Sequence, residues 1–142
     1  MKTLKIASAQ FEPKDGDKAY NLSVMDTLCA EAKEKGADVV SFHEMCISAY
    51  TFTKELSEGE MLELAEEVPN GPSSHALIEL SQKYRMPILA GLVEKEAGYL
   101  YNTYICVDEN GLKAKFRKLH PFINPYLKPG NEYVVFELLG WK

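Results

Sequence analysis

Cysteine is scarce. Cys29, Cys46 and Cys106 are the only three in 142 residues, and no C-x-x-C occurs. An odd count without close spacing excludes a disulfide scaffold and points to reduced thiols in a cytoplasmic protein. Histidine is as thin: His43, His75 and His120 are scattered, with no H-x-x-x-H. No metal centre is therefore expected. A glycine-rich phosphate cradle is missing too, since Pro69-Asn70-Gly71-Pro72 reads as a turn. No apolar run approaches the roughly 20 residues that span a bilayer, and the opening M-K-T-L-K-I-A-S-A-Q reads as a first strand rather than a leader. Positive charge is in deficit, 16 Lys plus Arg against 21 Asp plus Glu for a net −5. The one basic run, Lys113 to Lys118, is too short and mixed to track a phosphate backbone. Nucleic acid and membrane are not expected partners.

What is present is the patterning of one α/β domain. A strand over Leu4–Phe11 leads to a helix capped by Asp17 and ended at Gly36. A second strand, Ala37–Glu44, follows so closely that the two are expected to be parallel. Ser57-x-x-Glu60 is a capping box opening a short helix, and Ser73 is the expected cap of a helix running to Tyr84. Met86–Val93 and Tyr99–Val107 read as strands with a turn near Ala97-Gly98. Asp108-Glu109-Asn110-Gly111 reads as a hairpin into a fifth strand. Residues Pro129 to Leu138 read as a loop and a sixth strand. Cys29 and Cys106 fall on buried stripes and read as packing.

The residue to explain is Lys118. With period two, Leu112, Ala114, Phe116 and Lys118 share one face, and Lys113, Lys115 and Arg117 share the other. An amine against apolar surface is costly to keep charged unless an acid is close. By the same parity Glu44 shares a face with Val40 and Phe42, at the carboxyl end of a strand, where α/β sheets gather ligands. Such a pair either shares a proton for chemistry or is a structural ion pair. Cys46, two residues on, would need a base and an oxyanion hole to act as a nucleophile. No nucleophile elbow surrounds any of the three thiols.

Several stretches together carry a resemblance: K-I-A-S-A-Q, G-A-D-V-V-S-F-H-E-M-C-I-S-A-Y, G-P-S-S-H-A-L, Y-N-T-Y-I-C-V-D-E-N-G, F-R-K-L-H-P-F and the later P-G. In order and spacing the chain resembles the nitrilase, or carbon–nitrogen hydrolase, superfamily. The resemblance implies half of a four-layer α-β-β-α sandwich, with residues 1–142 forming the N-terminal part of a single domain whose C-terminal half is absent. It implies hydrolysis of non-peptide carbon–nitrogen bonds by a Glu-Lys-Cys mechanism without cofactor. Glu44 would be the general base and Lys118 the oxyanion stabiliser, with a small-molecule amide, carbamoyl or nitrile substrate, and a homo-oligomer is implied as well. Two features depart from the pattern. The family's nucleophilic Cys lies beyond the Lys, yet the 24 residues after Lys118 contain none. Many members also carry a second Glu before the P-G; here Asn124 and Tyr126 are the candidates for its place, and Tyr50 for a pocket wall. His43 stands where many members have Pro. The competing expectation is an inactive truncated fragment that serves as a folding or assembly module.

Overall fold

The computed structural model describes residues 3–142; Met1 and Lys2, the start of the stretch read as a strand rather than a leader, lie outside the described residues. A single five-stranded sheet runs in sequence order, β1 (Ile6–Ser8), β2 (Val39–Ser41), β3 (Ile88–Glu96), β4 (Tyr99–Asp108) and β5 (Gly111–Arg117). The first three strands are parallel and the last two add antiparallel. The α/β class is as expected. Among the described residues no helix is long and apolar enough to cross a membrane.

Helices α1 (Lys18–Glu34) and α3 (Pro72–Tyr84) cover one face of the sheet. Met25 and Cys29 of α1 and Leu77 of α3 meet Val40, Ile88, Ala90, Leu92, Ile105 and Val107 of the strands, all buried. Each such aliphatic side chain contributes about 1.5–3 kcal/mol by leaving water. On the opposite face a smaller cluster forms where α2 (Glu58–Leu64) and its flanks pack Met45, Met61 and Ala65 against Val93 and Leu100. The caps act locally as their chemistry requires. Asp17 accepts from the Tyr20 amide, and Ser57 and Glu60 form the reciprocal box.

Several expectations are corrected. β1 and β2 each span three residues rather than eight, because the chain leaves the sheet after Ser41 and turns through Met45 and Ala49, both at positive φ (49° and 70°). Ser73 does not cap α3. Gly71 holds that place with Pro72 next, and the buried Glu66 carboxylate accepts both the Ser73 amide and its hydroxyl at 2.8 Å. An acid reached through the fold thus does what a local hydroxyl was expected to do. The sixth strand does not form; among residues 129–142 the only bridge joins Leu138 to Trp141. Tyr133 and Val135 face solvent there, 87% and 70% exposed.

Parity also breaks within β5. Val107 pairs with Leu112 while Cys106 pairs with Ala114, so Lys113 is an extra residue at a bulge. A bulge flips everything on one side of it. Leu112 therefore packs under the helices, and only Ala114 and Phe116 share the Lys118 side.

Candidate active site

On the face opposite α1 and α3, β4, the end of β5 and the chain just after β2 bound a cavity of about 430 Å³ lined by Phe42, Glu44, Asn102, Tyr104, Phe116 and Lys118. Lys118 and Glu44, 74 residues apart, meet in it at 2.7 Å from Nζ to Oε1. Another cavity, about 390 Å³, lies beneath the β4–β5 hairpin around Arg85, Asp108 and Glu137, but its Lys113 is taken by Asp108. The acid–amine pair singles out the first.

Glu44 reaches this face by leaving its strand. Val40 and Phe42 point into the helix-covered core, and continued parity would carry Glu44 there too. Instead the backbone turns and lies directly on the sheet over Gly91. A Cβ on Gly91 would sit 2.3 Å from the Met45 nitrogen and 3.1 Å from the Glu44 Cα. Only glycine permits that approach. The Ile47 amide then donates to the Gly91 carbonyl at 3.2 Å. Just before the turn, the Tyr104 hydroxyl donates to the Phe42 carbonyl at 2.5 Å, and Ser41 Oγ meets the same hydroxyl at 2.8 Å. Phe42 thus lends the cavity its backbone rather than its ring.

Lys118 is gripped in the same way. Its amide donates to the Asn102 carbonyl at 2.8 Å and its carbonyl accepts from Gly130 at 2.9 Å. A Cβ on Gly130 would fall 2.1 Å from the Arg117 carbonyl oxygen. The P-G motif is therefore a backbone clasp on the lysine. The hydrogen bond that Lys118 donates to Glu44 raises the amine's pKa above that of an ordinary lysine; burial works the other way, and the charge of Glu44 adds to the rise. The amine stays cationic. The pair is not buried as expected: side-chain exposure is 30% for Lys118 and 45% for Glu44. Ion pairs this open contribute roughly 0–1 kcal/mol to folding, so stability alone does not account for the clasps on both partners.

Tyr50, expected as a pocket wall, is not among the residues lining the cavity, but its ring lies 5.7 Å from Lys118 Nζ, with the Phe122 ring at 5.4 Å. Asn124 does not line the cavity. It is buried, its amide donates to the Thr53 and Leu56 carbonyls at 2.8 and 3.1 Å, and its oxygen accepts the Tyr126 amide at 2.9 Å. Both donors are spent on holding the 3-10 helix Thr51–Glu55, so Asn124 ties down the loop that carries Tyr50. His43 packs on Phe11, ring centroids 5.2 Å apart, with Nδ1 at 3.1 Å from the Glu44 carbonyl. That oxygen can only accept, so Nδ1 carries the proton.

The three thiols are all buried. Burial pushes Cys29 and Cys46 up to about 12 and Cys106 to about 11. At a pKa near 12, on the order of one thiol in a hundred thousand is ionised at neutral pH. Cys46 lies in the helix-side core with Sγ on the Gly91 carbonyl, not beside the Glu44 carboxylate.

Asn102 and Tyr104 were not singled out from the sequence as site residues. A signal was present: an amide inside the largely apolar and aromatic run Tyr99–Val107, where asparagine is disfavoured.

Comparison with known proteins bears on the family and the fold. A family model described as carbon-nitrogen hydrolase matches residues 5–142. A nitrilase of Pyrococcus abyssi is 31% identical over 139 residues, covering 95% of this chain and 52% of that protein. The omega-amidase NIT2 of Bos taurus is 31% identical over 150 residues, covering 96% and 51%. The chain thus spans about half the length of the curated relatives it matches. Among solved structures, an N-terminal amidase with an Asn-Glu-Ala peptide superposes with a TM-score of 0.77 at 19% identity, over 89% of this chain and 31% of that one. An amidase from Nesterenkonia sp. gives 0.71 at 18%, over 91% and 49%.

Proposed function

The chain belongs to the carbon–nitrogen hydrolase family, and on that premise we propose that its site serves hydrolysis of a non-peptide carbon–nitrogen bond in a small amide, carbamoyl or nitrile compound. The observation that carries the reading is the Lys118–Glu44 contact of 2.7 Å at the mouth of a cavity. Glu44 is the general base, taking a thiol proton and later activating water. Lys118 supplies a fixed cation where oxyanion charge develops. Tyr50 is a substrate-side wall. The nucleophilic thiol lies beyond residue 142, since the thiols within the chain are buried and hard to ionise. No cofactor enters this chemistry. A homo-oligomer in the cytoplasm belongs to the same reading, by likeness to the family.

The reading is tested by ammonia release from simple amides and nitriles, using the product of the reading frame carried past Lys142 into a C-x-[DN] segment. Glu44→Gln and Lys118→Met should each lower kcat by about a hundredfold or more, and a variant at wild-type rate would sink the assignment. The second reading, an inactive module, is favoured by the exposed apolar side chains Phe122, Tyr133 and Val135 (76%, 87% and 70%). It requires the purified 142-residue chain to associate and to release no ammonia; an active monomer overturns it.

A further inference from the structure

The two oxygens of Glu44 are not equivalent. Oε1 accepts from Lys118 Nζ at 2.7 Å and from Asn102 Nδ2 at 2.5 Å. Oε2 takes no hydrogen bond from a described residue, in a side chain 45% exposed at the cavity. The Asn102 nitrogen must be the atom facing Oε1, because an ionised carboxylate only accepts. Asn102 itself is 4% exposed, in the middle of β4 between the rows that carry Tyr104 and Leu100. Its backbone serves the other partner: the Asn102 carbonyl takes the Lys118 amide at 2.8 Å. One buried residue therefore holds the acid through its side chain and the amine through its main chain. Its own ladder register is set on both sides, opposite Val93 on β3 and next to the Thr103–Arg117 pair on β5.

We propose that Asn102 is the positioning residue of the pair, holding Glu44 Oε1 toward Lys118 so that Oε2 alone is turned to the cavity as the proton-accepting atom. This rests on Glu44 being the base. The chemistry favours such a division. A carboxylate clamped at both oxygens is a poor base, and one free at both does not hold its direction. A neutral amide anchors one oxygen without adding charge beside Lys118. A second lysine there would compete for the carboxylate, and an acid would repel it.

The test needs no turnover. In Asn102→Ala the backbone clasp on Lys118 survives but Glu44 loses its anchor, so the Lys118–Glu44 bond is populated less. The Lys118 titration, read by NMR at its side-chain carbon and nitrogen, should fall toward that of an ordinary lysine. Glu44→Gln should move it the same way and further. A variant that melts earlier but leaves the Lys118 titration unmoved would show Asn102 to be packing only, and would overturn the proposal. Should Asn102→Ala fail to fold, the wild-type chain and Glu44→Gln still decide. The Asn102 side-chain amide protons must shift between those two proteins, and identical resonances overturn the proposal. Because neither measurement depends on hydrolysis, a chain with no activity leaves the proposal tested. Conversely, failure of the proposal leaves Glu44 free to act as a base held by other means.

Discussion

β5 and the residue that follows it carry cations to both faces of the sheet, and the two carboxylates they meet are treated in opposite ways. On one side Lys115 and Arg117 converge on Glu94, which is 1% exposed. Its Oε1 takes Lys115 at 2.6 Å and Arg117 Nη2 at 2.7 Å, and its Oε2 takes Thr103 at 2.5 Å and Arg117 Nε at 2.9 Å. The Arg117 guanidinium also stacks 3.7 Å from the Tyr101 ring. On the other side Lys118 meets Glu44, which is nearly half exposed and has one oxygen open. A carboxylate with both oxygens engaged and no solvent has nothing left to accept a proton with; it is structure. A carboxylate anchored at one oxygen and open at the other can accept a proton, and it adds little to folding. Counting engaged oxygens separates a structural acid from a candidate base where sequence shows only Glu and Lys.

The comparison breaks first, and most heavily, at Glu94. Glu94→Ala leaves the Thr103 hydroxyl and Arg117 Nε without their acceptor and Lys115 and Arg117 with only the exposed Glu96, and should cost about 3–5 kcal/mol in chemical denaturation. A loss below 1 kcal/mol would mean that the cluster is not structural. The same acid predicts a pH dependence. Burial would raise the Glu94 pKa, but donation from Arg117, Lys115 and Thr103 outweighs it and leaves it lowered. A lowered folded pKa contributes stability above the unfolded value of a glutamate, near 4.5, and that stability disappears as pH falls through the folded value. Denaturation series from pH 7 downward should therefore show a loss below about pH 4.5 in the wild type that is smaller in Glu94→Gln.

Gly91→Ala comes next. Its Cβ would meet backbone at 2.3 Å, contact that no rotamer change relieves, so a cost of about 1–3 kcal/mol is expected. The Lys118–Glu44 bond should loosen with it, read as the same fall in the Lys118 titration that loss of the acid produces. An unchanged titration would show that the Gly91 crossing does not position Glu44. Glu44→Gln sharpens the contrast from the other side. It should change stability by less than about 1 kcal/mol, since the pair is open to solvent, and a loss comparable to that of Glu94→Ala would erase the distinction between the two acids. The smallest effect is expected at the thiols. In the native chain Cys29, Cys46 and Cys106 should react with an aromatic disulfide reagent only on unfolding, and rapid labelling of one would reopen Cys46 as a nucleophile.

Much of the architecture was legible because it is written locally. The Asp17 cap, the Ser57–Glu60 box, the Ala97-Gly98 turn and the hairpin at Asp108–Gly111 each depend on a few neighbouring residues, and each is present. Misreadings arose where a distant group replaced a local one, as Glu66 does for Ser73. They arose also where a pattern had no neighbour to pair with, as in residues 129–138. Glu44 and Lys118 were paired by a parity argument that holds for neither strand throughout. β2 ends before Glu44, and β5 carries a bulge before Lys118. The pair meets nonetheless, because the turn after Ser41 brings Glu44 to the face that Lys118 occupies.

Composition and spacing by themselves determined the α/β class, the three α-helices with the caps at Asp17 and Ser57, and two residues whose chemistry asked for each other. They did so because propensity, capping and charge are properties of a few adjacent residues. Which face Glu44 occupies, which of its oxygens is open, and the place of Asn102 between acid and amine were decided only by the tertiary structure. Period two applies only while the chain remains a strand. Where it turns across Gly91, the direction of a side chain is set by a backbone some 47 residues further along the chain.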